Sequence, residues 1–334
     1  MIALSIEQAY RKARDCYLAE RFDAAEDICR KVLGADPEHA DAAYLMALIF
    51  ARRNEHAESD RLLRHAIEQR AFSIRLGYRP PSAPRHAGAP HSALDALLSR
   101  DAQGALQMLR SFAAWTAWLQ RIPADAGSPQ APHWRNAWMP PLDGIALYSL
   151  VAEQRPRRYV EVGSGNSTRF VRRAIADQQL STELISIDPE PRAEIDALCD
   201  RVIRQPLEST DLSVFADLDA RDLVFIDNSH RCFMNSDVTV FFTEILPALA
   251  SGVTVGIHDI FLPYDYPQEW VDRYYSEQYL LACYLLGRTA LFRVLLPMHH
   301  LLNHAEGRAA AQALCATLPG GLEPHGTSFW LRIS

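Results

Sequence analysis

The chain has 334 residues, of which 49% are hydrophobic and 22% are charged. This size and composition indicate a globular protein of about two domains, and they exclude a disordered chain, a collagen-like fibre and a small disulfide scaffold. The formal net charge of −7 argues against nucleic acid as a ligand, since nucleic-acid binders usually carry a basic excess. No apolar run approaches the ~20 residues of a membrane span, and the first residues do not resemble a signal peptide. We therefore expect a cytoplasmic protein that does not bind membranes.

The first 75 residues contain an internal repeat. With an offset of 34 residues, Ala13 aligns with Ala47, and Asp36-Pro37 separates the two units. Small residues at such positions let two helices approach closely. The pattern resembles the tetratricopeptide repeat, which implies an all-α segment that binds a protein partner or a second copy of the chain. Two units are few for an independent solenoid, so the alternative is a helical segment that packs against the rest of the chain.

Two further regions follow the repeats. Residues 76–135 begin with a segment rich in proline and glycine, which predicts a linker, and continue with leucines at helical spacing over 92–121. From residue 136 onward, short apolar runs alternate with helical patterns, which predicts a parallel β-sheet with helices on both faces. The predicted strands are 158–162, 183–187, 201–204, 222–226, 253–257, 291–296 and 328–333. The predicted helices of this region are 147–153, 169–177, 193–199, 212–218, 237–249 and 270–286.

A glycine-rich turn follows the first predicted strand. Gly163 and Gly165 allow a sharp backbone turn and a close approach to a ligand. A dinucleotide-binding fingerprint would need a third glycine where Thr168 stands, and the carboxylate of Glu161 would repel a pyrophosphate. An acidic side chain at this position suits a ligand that carries positive charge.

The segment Glu161-x-Gly163-x-Gly165 resembles motif I of the class I S-adenosylmethionine-dependent methyltransferases. Asp188, at the end of the second predicted strand, stands where that family binds the ribose hydroxyls of its cofactor. The resemblance implies an α/β fold with a Rossmann-like seven-stranded methyltransferase sheet of order 3-2-1-4-5-7-6 over residues 136–334. It also implies that S-adenosylmethionine is held by Glu161, Gly163, Ser164, Gly165, Ser167, Asp188, Leu207 and Asp227.

Acidic residues and histidines follow the fourth and fifth predicted strands. Asp227 and His230 stand after the fourth strand, and His258 and Asp259 stand after the fifth. The carboxyl ends of parallel strands meet at one edge of a sheet, so we expect these four side chains to converge in one cleft. The arrangement resembles a branch of O-methyltransferases that carries IDGSH and HD motifs. Asn228 replaces the glycine here, and we expect its tolerance of positive φ to preserve the turn.

Three interpretations of this cluster are open. A histidine could act as the general base for a substrate hydroxyl. Asp227 and Asp259 could instead bind a divalent metal ion, although Mg²⁺ prefers oxygen ligands to histidines. In the third interpretation, His258 belongs to the core and Asp259 caps a turn. We expect a catalytic cleft formed by Asp227, His230, His258 and Asp259, and we do not favour a metal ion in it.

Other residues flank the predicted cleft. Aromatic residues stand between prolines in segment 261–270, which predicts a lid or a wall for the acceptor. Trp134, Trp138 and Asp143 could cover the cofactor from the other side. Residues 299–304 contain three histidines and no carboxylate, so we expect no metal site there.

We predict an enzyme that transfers a methyl group from S-adenosylmethionine to a hydroxyl of a small molecule or sugar. Oxygen is the favoured acceptor atom because histidine and aspartate suit the deprotonation of a hydroxyl. One alternative is an adaptor that binds the cofactor without turnover and uses the repeats to bind a partner. Another is a nicotinamide-dependent enzyme on a similar sheet, against which Glu161 and Thr168 argue.

Overall fold

The computed structural model describes residues 5–18, 21–53, 55–70, 83–136, 138–191, 195–287 and 290–334. The chain divides into two units, Met1–Pro80 and Pro81–Ser334. Each unit has hydrophobic core clusters of its own. Within the described ranges, none of the helices combines the length and the apolar character that a membrane crossing requires.

The first unit consists, in its described part, of four helices. Ala13 and Ala47, which the repeat aligns, are both buried in one core cluster together with Cys29 and Leu62. Small side chains at these two positions let neighbouring helices lie close together. Their assignment to tetratricopeptide repeats stays a prediction. The helices are α1 (Ile6–Leu18), α2 (Phe22–Ala35), α3 (Ala40–Arg52) and α4 (His56–Arg70).

The second unit is built on a seven-stranded sheet with the order β3-β2-β1-β4-β5-β7-β6. Strands β1 to β5 are parallel, and β7 runs antiparallel to both of its neighbours. This order confirms the predicted Rossmann-like methyltransferase sheet, and every predicted strand end agrees with the structure within one residue. The strands are β1 (Arg158–Val162), β2 (Glu183–Ile187), β3 (Arg201–Ile203), β4 (Leu223–Ile226), β5 (Thr254–Ile257), β6 (Phe292–Pro297) and β7 (Phe329–Ile333).

Helices cover both faces of this sheet. Successive residues of β1 enter opposite cores: Tyr159 lies in one cluster with Tyr148 and Phe170, and Val160 lies in the other with Ile226. This alternation follows from the two-residue period of a strand. The helices are α5 (Ser92–Leu98), α6 (Ala102–Ser111), α7 (Thr116–Leu119), α8 (Pro141–Gln154), α9 (Asn166–Asp177), α10 (Ser213–Ala216), α11 (Asp237–Val240), α12 (Glu277–Leu286), α13 (Met298–Leu302) and α14 (Ala305–Cys315).

The predicted helix over 270–286 is wrong in its first half. The chain forms a 3₁₀ turn at Gln268–Arg273, and Tyr274 then takes a left-handed conformation with φ of 53°. Helix α12 begins only at Glu277, whose amide, like that of Ser276, donates a hydrogen bond to the carbonyl of His230. This tertiary contact replaces the hydrogen bonds that a continuous helix would make.

Two other predicted helices are altered. The helix over 237–249 contains α11, a π turn at Phe241–Ile245 and a 3₁₀ turn at Leu246–Ala248, because Pro247 has no amide hydrogen to continue the α-helical ladder. The helix over 193–199 is only a short 3₁₀ turn, Asp196–Leu198, in its described part. Residues 193–194 lie outside the described residues.

Candidate active site

The turn after β1, which begins at Gly163, packs between the ends of β2 and β4. Gly163 has φ of +81°, and its amide donates a 3.0 Å hydrogen bond to the carbonyl of Ile187. A Cβ atom at this position would lie 1.8 Å from the carbonyl oxygen of Asp227. Only glycine fits a left-handed position with the next strand so close.

Asp188 joins the end of β2 to this turn. One carboxylate oxygen accepts a 2.8 Å hydrogen bond from the amide of Ser164, and the other accepts a 2.8 Å bond from the amide of Glu190. The hydroxyl of Ser164 lies 2.6 Å from that of Ser186. Each carboxylate oxygen of the half-buried Asp188 keeps a further lone pair for a ligand hydroxyl.

Glu161 lies beneath the turn, where it is fully buried. Ser167 donates a 3.1 Å hydrogen bond to its carboxylate, and Thr168 donates another. Burial raises the pKa of Glu161 to about 7, although the hydroxyl donors act in the opposite direction. The carboxylate therefore ties strand β1 to the first turn of α9 and keeps a negative charge close to the glycine turn above pH 7.

The surroundings of Gly165 fit a bound ligand. No atom lies within 4 Å of the position that a Cβ would take at Gly165, so the turn borders open space at the N-terminus of α9. The carboxylate of Asp188 lies on one side of this turn, where it accepts the amide hydrogen bond of Ser164. Leu207, placed after β3, is buried in the core by a 3₁₀ turn. These features suit a nucleoside-containing cation better than a pyrophosphate.

His230 follows β4 and is held by carboxylates on both ring nitrogens. Nδ1 lies 2.8 Å from Oε2 of Glu277, and Nε2 lies 3.3 Å from Oδ1 of Asp227 and 3.7 Å from Oδ2 of Asp259. Burial alone would lower the pKa of His230, but Asp227 and Glu277 outweigh it and raise the pKa to about 10. The side chain is therefore an imidazolium at neutral pH.

His258 follows β5 and has carboxylates on both sides. Nδ1 lies 3.3 Å from Asp227 and 3.5 Å from Asp259, and Nε2 lies 3.3 Å from Asp143. These are ion-pair distances, but neither nitrogen is aligned for a hydrogen bond within the described residues. Burial disfavours the charged form, yet the surrounding carboxylates, with Asp259 and Asp227 the strongest, raise the pKa of His258 well above its usual value.

Asp143 is paired with His258 inside the protein and is not exposed on the surface as a cover for the cofactor. It is fully buried, and the amides of Thr327 and Ser328 each donate it a 2.9 Å hydrogen bond. Burial alone would raise the pKa of Asp143, but His258 and these hydrogen bonds stabilise the carboxylate and hold its pKa below the usual value. Trp134 packs against Phe170 in the core, with 5.1 Å between ring centroids.

Asp227 links the two parts of the site. Its side chain contacts both His230 and His258, while its carbonyl oxygen touches the glycine turn at Gly163. Burial would raise the pKa of Asp227, but the two imidazolium groups hold it far below its usual range. The structure thus brings together the side chains of Asp227, His230, His258 and Asp259. With Asp143 and Glu277, carboxylates outnumber imidazoles, so the cluster attracts cations.

The turn after β4 differs from the predicted one. The left-handed residue is His230, with φ of 60°, and not Asn228. Asn228 accepts a 2.9 Å hydrogen bond from the amide of His230 through its side-chain oxygen, which stabilises the turn. Asp259 is also left-handed, with φ of 55°. Strained backbone of this kind is concentrated at functional sites.

Sequence reasoning missed Glu277, because a continuous helix over 270–286 would place it in mid-helix. Its neighbour Gln278 is equally buried and holds the predicted acceptor wall: Oε1 accepts a 2.9 Å hydrogen bond from the amide of Phe261, and Nε2 donates to the carbonyl of Tyr264. The ring of Tyr275 lies 4.6 Å from that of His230. The aromatic wall therefore adjoins the histidine.

The second unit contains a match to a known protein family. Residues 160–260 match a family model described as a methyltransferase domain. This range contains the glycine turn, Asp188 and the Asp–His cluster, and it supports a class I S-adenosylmethionine-dependent methyltransferase domain. A comparison with curated protein sequences gives no match.

The solved structures that match this chain have low sequence identity to it and low TM-scores. A Podospora anserina methyltransferase with bound SAH is 15% identical, with a TM-score of 0.36, over 68% of this chain and 88% of that chain. A Bacillus cereus O-methyltransferase in complex with SAH is 16% identical, with a TM-score of 0.32, over 68% and 90%. A branched-chain polyamine synthase mutein from Thermus thermophilus is 14% identical, with a TM-score of 0.33, over 99% and 93%.

Proposed function

We propose that this protein transfers a methyl group from S-adenosylmethionine to a hydroxyl group of a small molecule or sugar. The observation that carries the proposal is the position of Asp227, whose backbone touches the glycine turn and whose side chain contacts both His230 and His258. A cofactor pocket and a proton-handling cluster therefore share one residue. The match of residues 160–260 to a methyltransferase domain supports the same activity.

The proposed cofactor site follows from the chemistry of its residues. The half-buried carboxylate of Asp188 binds the ribose hydroxyls, and the turn from Gly163 to Ser167 lies against the rest of the cofactor. Leu207, which the resemblance places near the adenine, is buried in the core and offers little surface to a ligand. Glu161 and Asp227 provide negative potential for the sulfonium, which offers an electrophilic methyl group on a cationic sulfur.

The proposed proton acceptor is Nε2 of His230. Nδ1 is engaged by Glu277, which leaves Nε2, in contact with Asp227 and Asp259, as the nitrogen that would meet a substrate hydroxyl. A cation bound next to Asp227 competes for its charge and lowers the pKa of His230, so the imidazolium would first release its Nε2 proton to solvent. The neutral imidazole would then accept the hydroxyl proton as the oxygen bonds to the methyl group and S-adenosylhomocysteine leaves. His258 contacts Asp227 and keeps it in place, while Asp259 lies beside both histidines. The remaining step is an in-line displacement, for which alignment of the reactants is the main requirement.

The aromatic wall supports a cyclic acceptor. Tyr266 and Trp270 lie with ring centroids 5.8 Å and 5.6 Å from that of Tyr275, next to His230. Aromatic rings offer apolar contact area to a cyclic acceptor, and the guanidinium of Arg273, 3.9 Å from the Trp270 ring centroid, would have to move for a ligand to stack there. A hydroxyl on such a ring would lie close to Nε2 of His230.

The experiment has two arms. Calorimetric titration with S-adenosylmethionine and with a nicotinamide dinucleotide tests the cofactor, and incubation with pools of sugars and phenols, analysed by mass spectrometry, tests methyl transfer. His230→Asn and His258→Asn should bind the cofactor normally but turn over slowly. Turnover that survives both substitutions would exclude these histidines as bases, and loss of turnover in a chelator would assign the cluster to a metal ion.

The second candidate function is an adaptor that binds the cofactor without turnover. The repeat pattern favours it, with Ala13 and Ala47 at equivalent buried positions of the first unit. We propose that residues 1–75 are tetratricopeptide-like repeats that bind a protein partner or a second copy in the cytoplasm, that 76–135 form a linker and helical segment, and that 136–334 form the methyltransferase domain. Cofactor binding without any methylated product from the acceptor pools would favour the adaptor.

A further inference from the structure

Three side chains that bind metal ions in other proteins meet beside helix α13. Asp95 lies on α5, His300 lies on α13 and His304 precedes α14. Although Asp95 and His300 are 205 residues apart in the sequence, Oδ1 of Asp95 lies 3.2 Å from Nε2 of His300. Nε2 of His304 lies 3.1 Å from the same nitrogen. The three ligand atoms all lie within 4.8 Å of one another.

Hydrogen bonds alone do not satisfy these three atoms. Nε2 of a neutral His300 carries at most one hydrogen, so one of its two contacts, with Asp95 or with His304, is left without a correctly placed hydrogen. His300 is 1% exposed, and its Nδ1 has no hydrogen-bond partner within the described ranges. The ligand atoms of these three residues therefore lie close enough together to share one cation.

We propose that Asp95, His300 and His304 bind a divalent cation of the zinc type. In a tetrahedral zinc site the bonds of 2.0–2.2 Å separate ligand atoms by about 3.4 Å. The observed separations of 3.1 Å and 3.2 Å approach this value before any cation has adjusted the side chains. Two imidazole nitrogens and one carboxylate oxygen suit Zn²⁺, whereas Mg²⁺ and Ca²⁺ prefer oxygen ligands.

The site has an open side and a structural consequence. Asp95 is half-buried and His304 is exposed, so solvent reaches the cation and a water molecule can complete its coordination. A bound cation would join α5 to the segment that follows β6, and ligands that bind only the folded state stabilise it. Residues 299–304 themselves contain no carboxylate, and Asp95 comes next to the histidines only when the chain folds.

The test uses the full chain, stripped with a chelator and dialysed into metal-free buffer. Calorimetric titration should show one high-affinity equivalent of Zn²⁺ and no comparable binding of Mg²⁺. With Co²⁺ as a spectroscopic probe, the protein should show the intense visible bands of a four-coordinate site. Zn²⁺ should also raise the midpoint of thermal unfolding.

Three variants separate this site from other histidines. His304→Ala removes an exposed ligand whose side chain makes no helix-capping hydrogen bond, so the fold should be retained. Removing a residue that only hydrogen-bonds to a metal ligand weakens metal binding about 10- to 100-fold. Removing a ligand should cost more, so His304→Ala and Asp95→Asn should weaken Zn²⁺ binding by about 100-fold or more. His65→Ala, which removes an imidazole from the first unit, should bind as the unmodified chain does. Equal Zn²⁺ affinity in the unmodified chain and in His304→Ala would overturn the proposal.

Discussion

Nδ1 of His230 lies 2.8 Å from Oε2 of Glu277, the first residue of α12, so the break in the predicted helix supplies the histidine with a buried carboxylate. Glu277→Gln keeps the shape and one acceptor atom but removes the charge. We expect the pKa of His230, held at about 10 by Asp227 and Glu277, to fall by ~1–2 units. Histidine NMR signals followed through a pH titration measure this shift, and the acidic limb of the pH–rate profile should move to lower pH.

The same pair makes stability depend on pH. A raised histidine pKa stabilises the folded state fully below the ordinary value of 6.5, and this contribution is lost as the pH rises through about 10. In Glu277→Gln the loss should occur at lower pH. Glu306→Gln is the matched control, because Glu306 is exposed and lies 3.6 Å from the exposed Arg110. An unchanged pH–rate profile in Glu277→Gln would show that the carboxylate does not tune His230.

Gly163 and Gly165 should respond differently to the same substitution. Gly163→Ala forces a methyl group to within 1.8 Å of a carbonyl oxygen at φ of +81°, so we expect a loss of roughly 2–4 kcal/mol in the free energy of unfolding. Gly165→Ala meets no protein atom within 4 Å, so the protein should fold but bind the cofactor more weakly. Urea unfolding and calorimetry measure the two effects, and a normal cofactor affinity in Gly165→Ala would place the cofactor elsewhere.

Asp188→Ala should weaken cofactor binding more than it alters the fold. A hydrogen bond to a charged group contributes about 1.5–3 kcal/mol, which corresponds to about a 10- to 150-fold increase in Kd. Glu190→Ala is the control, because it removes a neighbouring exposed carboxylate and retains the amide that donates to Asp188. If Asp188→Ala bound S-adenosylmethionine as tightly as Glu190→Ala does, the ribose would not be bound at the end of β2.

Glu161→Gln should make the fold more stable at pH 8 but weaken binding of the cationic cofactor. Burial raises the pKa of Glu161 from 4.5 to about 7, so its contribution to stability is full below pH 4.5 and is lost as the pH rises through 7. The glutamine variant should lack this dependence and gain roughly 1–3 kcal/mol in the free energy of unfolding at pH 8. Its affinity for the cationic cofactor should fall relative to that for neutral SAH. Parallel loss of both affinities would exclude a charge effect.

The strand pattern predicted the sheet because parallel strands buried on both faces consist of short apolar runs that end at turns. Asp188, Asp227 and His258 each follow such a run, so the sequence also predicted the edge at which they meet. The sequence did not predict which atoms would touch. Only the structure shows that Glu161 bonds to Ser167 and Thr168 beneath the turn.

The missed residues depend on contacts between distant segments. Residues 270–286 have helical composition, but the left-handed Tyr274 and the carbonyl of His230 end that pattern and place Glu277 beside the cleft. No local signal in the sequence records this contact. Asp95 escaped notice for the same reason, since it meets His300 across 205 residues.

The start of α12 has a mechanical consequence. Glu277 is hydrogen-bonded to His230 in one loop. The adjacent Gln278 is hydrogen-bonded to Phe261 and Tyr264 in another loop. Since consecutive side chains of one helical turn hold both loops, a tilt of this helix would displace the proposed proton acceptor and the proposed acceptor wall together. The two proposed functions are therefore coupled. A substitution that shifts this turn should abolish methyl transfer altogether and not only change which acceptor is used.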